Sequence, residues 1–264
     1  MSSPVALANT NDLLRELFCY LGTGKPLDPF TKARLLKEAE KQSTLDRMHT
    51  LTAYVYTIAD EKELAKEAAI QGLRYIEDPA TITSCLSVLQ LNAFPYVAIE
   101  QVKQLQNYLD DPNYLPSFTA FFAAYPDVLQ MERAMTKLEK MNLCSSGDNG
   151  KLYEYFQTVT STVDTAVKEL DLEKSTCSRV IDLAASVVEK AGIVLNSTNI
   201  IRQPESEWLS VVINVETETT RQLAELNWDL VGELIDADLN TPTIVTRFEM
   251  VEPSEHIARC RYAD

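Results

Sequence analysis

Proline sets the strictest limit on what this chain can fold into. Pro26, Pro29, Pro79, Pro95, Pro112, Pro116 and Pro126 punctuate the first 143 residues. Proline lacks an amide hydrogen and clashes with the preceding helical turn, so it opens or breaks helices rather than sitting inside them. Between these prolines apolar residues recur at helical spacing, as at Leu13, Leu14, Leu17, Phe18 and Leu21. With only seven glycines in 264 residues, the pattern predicts an almost wholly helical region cut into short helices.

The breaks are roughly periodic. Tyr75-Ile-Glu-Asp-Pro79 overlays Tyr108-Leu-Asp-Asp-Pro112, and Ala93-Phe-Pro95 overlays Ala124-Tyr-Pro126, at offsets of 33 and 31. The expectation is three helix pairs, over 44–78, 79–111 and 112–143, each burying its apolar stripe against the next. The first unit carries compact residues at Ala65, Ala69 and Gly72, and Pro79 follows its end. In this spacing the segment resembles the tetratricopeptide family of helical-pair repeats, over about 100 residues. The units lack that family's tryptophan, leucine-glycine and tyrosine series. The resemblance implies a protein-binding scaffold.

Cys144-Ser-Ser-Gly-Asp-Asn-Gly150 is the strongest loop signal, and predicts a linker at 144–150 between a helical domain, 1–143, and an acidic α/β domain, 151–264. In the latter, helices are expected near 151–170 and 176–191, with Gly192 as a stop. Strands are expected near 193–203 and 208–215, a helix near 218–237 with Leu223, Leu226, Leu230, Val231 and Leu234 on one face, and a last strand over 243–251. The predicted class is α+β: stacked helix pairs followed by a small open-faced α/β sandwich with a three- or four-stranded, mainly antiparallel sheet.

Net charge is −15, which argues against direct binding to nucleic acid or anionic membrane. The acidity is concentrated: residues 151–264 carry 10 basic and 20 acidic side chains, two thirds of the excess. The five cysteines, Cys19, Cys85, Cys144, Cys177 and Cys260, are scattered and contain no C-x-x-C pair, as expected of reduced thiols in the cytoplasm. The first twenty residues lack the pattern of a secretory leader.

Catalytic and metal motifs are sparse. Leu21-Gly-Thr-Gly-Lys25 lacks the first glycine and the final Ser or Thr of a phosphate loop. The two histidines, His49 and His256, are too few for a multi-imidazole zinc site. The pair His256 and Cys260 has no third group nearby. No cofactor, metal or catalytic residue is assigned.

Two surfaces are instead candidates for partner binding. Tyr114, Phe118, Phe121, Phe122 and Tyr125 fall on one helical face, either as core or as an aromatic-lined groove. Glu225, Asp229, Glu233 and Asp236 form an acidic ridge opposite the leucines of the last helix. It is either a solvated face or a dock for a basic surface. The leading expectation is a non-catalytic adaptor of chaperone, immunity or regulatory type that binds a basic protein, with a homodimer also compatible. The alternatives are an enzyme whose site is assembled only in the fold, and an acidic mimic of nucleic acid that blocks a DNA-binding protein.

Overall fold

The computed structural model describes residues 4–24, 26–145, 147–203 and 205–251. Contacts group the chain into two compact units that divide between Phe94 and Pro95. His256 and Cys260 lie outside the described residues.

The first unit holds helices α1 (Pro4–Thr23), α2 (Pro29–Ala39), α3 (Leu45–Ile58), α4 (Lys62–Arg74) and α5 (Pro79–Leu91). Two of them start at an Asp-Pro step. Asp28 accepts hydrogen bonds from the amides of Phe30 and Thr31, and Asp78 from that of Ala80. These carboxylates satisfy first-turn donors, while the proline gives up an amide that has no helical partner anyway. The expected first pair is α3 and α4, and α5 packs against both. Gly72 marks the close crossing: a β-carbon there would lie 2.7 Å from the Cys85 sulfur.

Asp46 ties the start of α3 to the start of α5. It is fully buried, and its carboxylate accepts hydrogen bonds from the Thr44 hydroxyl, the Arg47 amide at 2.8 Å, the Glu77 and Asp78 amides at 3.0 and 3.2 Å, and the Thr81 hydroxyl at 2.9 Å. Burial alone would raise its pKa. The bonds from Thr44, Glu77, Thr81 and Arg47 together outweigh that and hold the carboxyl below its ordinary value.

The second unit runs through α6 (Pro95–Gln104), α7 (Gln106–Leu109), a 3-10 turn (Leu115–Phe118), α8 (Thr119–Ala124), α9 (Val128–Lys140), α10 (Gly147–Leu170) and α11 (Lys174–Lys190). It ends with β1 (Leu195–Ile201), β2 (Leu209–Val215), α12 (Thr220–Asp236) and β3 (Ile244–Met250). The class is α+β, as expected.

The division of the chain differs from the expected one. The second expected pair is split, because α5 belongs to the first unit whereas α6 packs on α11 in the second. Residues 144–150 are not a linker between bodies, since α9 and α10 pack together and α10 already begins at Gly147. Gly150 lies so close to the turn that a β-carbon would sit 3.1 Å from the Ser145 carbonyl carbon. The overlaid Asp-Pro motifs also diverge: Asp78-Pro79 opens a helix, whereas the Asp111 carboxylate takes the Asn113 amide at 2.9 Å and leads into a turn.

The sheet has strand order β1-β2-β3, with β1 antiparallel and β3 parallel to β2. It is therefore mixed rather than mainly antiparallel, because α12 is a crossover that carries the chain back to start β3 in the same direction as β2. On one face Leu209, Val211, Ile213, Val215, Ile244 and Phe248 are buried. There α8 and α10 approach β1 and α12 approaches β3, and the Thr198 hydroxyl donates to the Ala124 carbonyl at 2.6 Å. On the other face Asn199, Ile201, Val245, Arg247 and Glu249 are exposed, so the sandwich is open-faced. Among the described residues no helix is long and apolar enough to cross a membrane.

Candidate functional site

The aromatic set belongs to the core of the second unit. Phe118, Phe121, Phe122 and Tyr125 are buried, Phe122 meets Phe156 edge-on at 5.1 Å, and Phe121 contacts Tyr125 at 5.0 Å. Tyr114 is half-buried against Tyr108. The groove reading of these five residues is thus corrected. Their shared face is also not that of one helix, because the 3-10 turn containing Pro116 precedes α8 and Tyr125 follows it.

Beside Phe121, Phe122 and Tyr125 lies a cavity of about 20 Å³ whose polar lining includes Lys103, Asp127, Ser178 and Asp182, room for about one water. The Lys103 ammonium donates to Glu100 at 2.8 Å and to Asp182 at 2.9 Å. Burial pushes the Asp182 carboxyl above its ordinary pKa, against the pull of Lys103. Burial alone would lower the Lys103 pKa, but its bonds to Glu100 and Asp182 carry it above the ordinary lysine value. This is an ion pair that fastens α6 to α11. Among the described residues no group of three His, Cys, Asp or Glu side chains is placed to hold a metal ion.

The second expected surface lies on α12. The helix starts at Thr219, whose hydroxyl accepts the Gln222 amide at 3.1 Å, while the Gln222 side chain accepts the Glu218 amide at 3.0 Å, a variant of the reciprocal cap. It ends with Asp238 in the left-handed region, φ 55, and the Leu239 amide bonded back to the Leu234 carbonyl at 2.8 Å. Leu226, Leu230 and Leu234 are buried. The Asn227 amide group brackets Phe248 of β3, donating to its carbonyl at 3.1 Å and accepting from its amide at 2.8 Å.

The outer face of α12 carries two parallel stripes. One is the acidic ridge, in which Glu225, Asp229 and Asp236 are exposed and Glu233 is half-buried. Arg221 reaches Glu225 at 2.8 Å and Lys190, from α11, reaches Glu233 at 2.7 Å. Among the described residues neither Asp229 nor Asp236 has an ion-pair partner, and Asp236 stands in the last turn, where the helix dipole disfavours negative charge. The other stripe is apolar: Trp228 is 79% exposed, Ile235 56% and Val231 44%, three residues within two turns. The expected placement of Val231 with the buried leucines is thereby corrected.

Gly232 lies between the stripes, one turn beyond Trp228. A β-carbon there would meet nothing within 4 Å, and its φ is not left-handed, so neither packing nor backbone conformation in this chain requires glycine. An interior helical glycine costs about 1 kcal/mol relative to alanine. Trp228, Asp229, Gly232, Glu233 and Asp236 form one wall of an open groove of about 420 Å³ whose other side is Val187, Lys190 and Ala191 at the end of α11. The sequence reading found the ridge and missed Trp228, Gly232 and Ile235. Their signal was present: Trp228 and Ile235 fall outside the arc spanned by Leu226, Leu230 and Leu234.

The fold and this surface define an α+β protein whose last helix exposes an apolar and acidic face. Comparison with family models, with curated proteins and with solved structures finds no significant match.

Proposed function

We propose that this chain is a non-catalytic interaction protein of the cytoplasm, an adaptor of chaperone, immunity or regulatory type, whose α12 face docks a basic protein partner. The observation that carries the reading is Trp228, largely exposed beside Val231 and Ile235 and bordered by carboxylates. An exposed tryptophan in an apolar strip is the kind of residue that anchors protein interfaces, and the adjoining negative charge raises the rate at which a positive surface arrives. The second unit, residues 95–251, carries 12 basic and 24 acidic side chains, which extends the attraction beyond the ridge. The α3 and α4 pair of the first unit, with α5 packed on both, supplies a scaffold of the kind that the tetratricopeptide-like spacing implies. Free cysteines at positions 19, 85, 144 and 177 suit a reducing compartment.

The test is affinity capture from host lysate with three full-length proteins: wild type, Trp228→Ala, and a Glu225, Asp229, Glu233 and Asp236 to Lys variant. A basic partner recovered in stoichiometric amount by the wild type and lost by both variants is the expected result. A partner retained by both moves the dock elsewhere. Recovery of no protein, with a small molecule retained in native mass spectrometry, would turn the reading to an enzyme.

A further inference from the structure

Resting on that reading, we propose that the α12 groove takes a basic amphipathic α-helix of the partner, about three turns long, lying along α12 with its backbone closest at Gly232. The length follows from the surface, since the ridge from Glu225 to Asp236 spans about 16 Å at 1.5 Å per residue. A helix is favoured over an extended segment because the body of α12 exposes only side chains, its main-chain groups being bonded within the helix. An extended peptide laid on it would cover its own N–H and C=O groups without partners, whereas a helix brings them already paired.

Gly232 explains the contact and is explained by it. The space above it is empty in this chain, so a partner helix can approach there more closely than over any other residue of α12. Trp228, one turn earlier, presents its indole to the aliphatic stripe of that helix or to a guanidinium at its margin. Lysine or arginine residues at helical spacing on the partner would face Asp229 and Asp236, which have no ion-pair partner among the described residues. A second copy of this chain is the weaker occupant, because a two-fold contact through this face would bring two acidic ridges together.

The experiment uses the full chain carrying Trp208→Phe, so that Trp228 alone reports by fluorescence. It is titrated with an 18-residue peptide that places leucine on one face and arginine and lysine beside it. Controls are the same peptide with a central proline and a scrambled peptide of identical composition. The expected result is binding of the helical peptide at least tenfold tighter than either control and weakening with added salt. Gly232→Leu and the double change Asp229→Lys and Asp236→Lys should each weaken it at least tenfold while leaving the circular dichroism spectrum unchanged. Equal binding of the helical and proline peptides would overturn the helix while leaving a basic partner in place. Failure of all three peptides to bind would overturn docking on α12 itself. Binding indifferent to Gly232→Leu would overturn the placement. A dimer of the chain in sedimentation, abolished by Trp228→Ala, would make a second copy the occupant and refute the proposal.

Discussion

Replacing Asp46 by asparagine isolates the strongest polar tie in the first unit. The change keeps size and shape but turns one of two acceptor oxygens into a donor. Whichever way the amide is placed, it faces either the Glu77 and Asp78 amides or the Arg47 amide with the wrong group, although the Thr44 and Thr81 hydroxyls can rotate to accept. At least one and as many as two part-buried backbone donors are left without a partner, at about 1–3 kcal/mol each, for a total of about 1–6 kcal/mol, with the placement that orphans only one donor setting the lower end. Urea unfolding followed by circular dichroism should therefore show a lower midpoint with an unchanged slope. Hydrogen exchange at Glu77 and Asp78 should accelerate about fivefold or more, since 1.4 kcal/mol corresponds to a factor of ten. The pH dependence has a definite sign. The folded carboxyl has a lowered pKa, so its contribution is full above the unfolded value of about 3.9 and is lost as pH falls through the folded value. Wild type and Asp46→Asn should thus converge in stability at the acid end. An Asp46→Asn midpoint equal to wild type at neutral pH, with unaltered exchange at Glu77 and Asp78, would refute this account.

Two further outcomes follow from the same unit and its neighbour. Gly72→Ala should destabilise the chain by about 1–3 kcal/mol through overpacking against the Cys85 sulfur, 2.7 Å from the new β-carbon. The loss should shrink in a Cys85→Ala background, and thermal unfolding of the four variants measures it. Burial pushes the Cys85 thiol up to about 12 and the Cys177 thiol up to about 11, whereas Cys19 is exposed. At pH 8 an alkylating reagent should modify Cys19 within minutes and Cys85 and Cys177 only on unfolding, as read by peptide mass spectrometry; early modification of Cys85 would contradict the packing.

Local chemistry was legible in the amino-acid sequence to the extent that it was written in neighbouring residues. Pro29 and Pro79, read as helix boundaries, do open helices, and Gly192 announced the end of α11, where it stands at φ 67. The β-branched run Leu209-Ser-Val-Val-Ile-Asn-Val215 became the central strand. What depended on distant contacts was not legible. Ala93-Phe-Pro95 looks like Ala124-Tyr-Pro126, yet Ala93 takes φ 62 while Ala124 closes α8. Nothing local says that the compact units divide after Phe94. The turn-rich stretch at 144–150 drew the boundary to itself because its composition resembles a linker, while the packing of α9 on α10 that makes it internal is a tertiary contact that composition does not record. Of the site, the charged stripe on α12 was readable from spacing. The apolar stripe beside it was overlooked although Trp228 and Ile235 fall outside the arc of the leucines, because apolar residues on an amphipathic helix are assigned inward by default.

Asn227 has a consequence for the molecule's behaviour in concentrated solution. A parallel strand at the end of a sheet leaves every second N–H and C=O pointing outward, an invitation to recruit a strand from another molecule. At Phe248 the carboxamide of Asn227 makes both bonds that such a strand would make, so one side chain imitates the backbone of a missing fourth strand. Polymer growth from this edge would first have to evict that side chain, and with it the anchor that holds α12 against the sheet. The same two hydrogen bonds thus block the sheet edge at Phe248 and help the buried leucines hold the candidate docking helix, so a chain that kept its surface helix in place would by that fact also offer a poorer edge to its neighbours at β3.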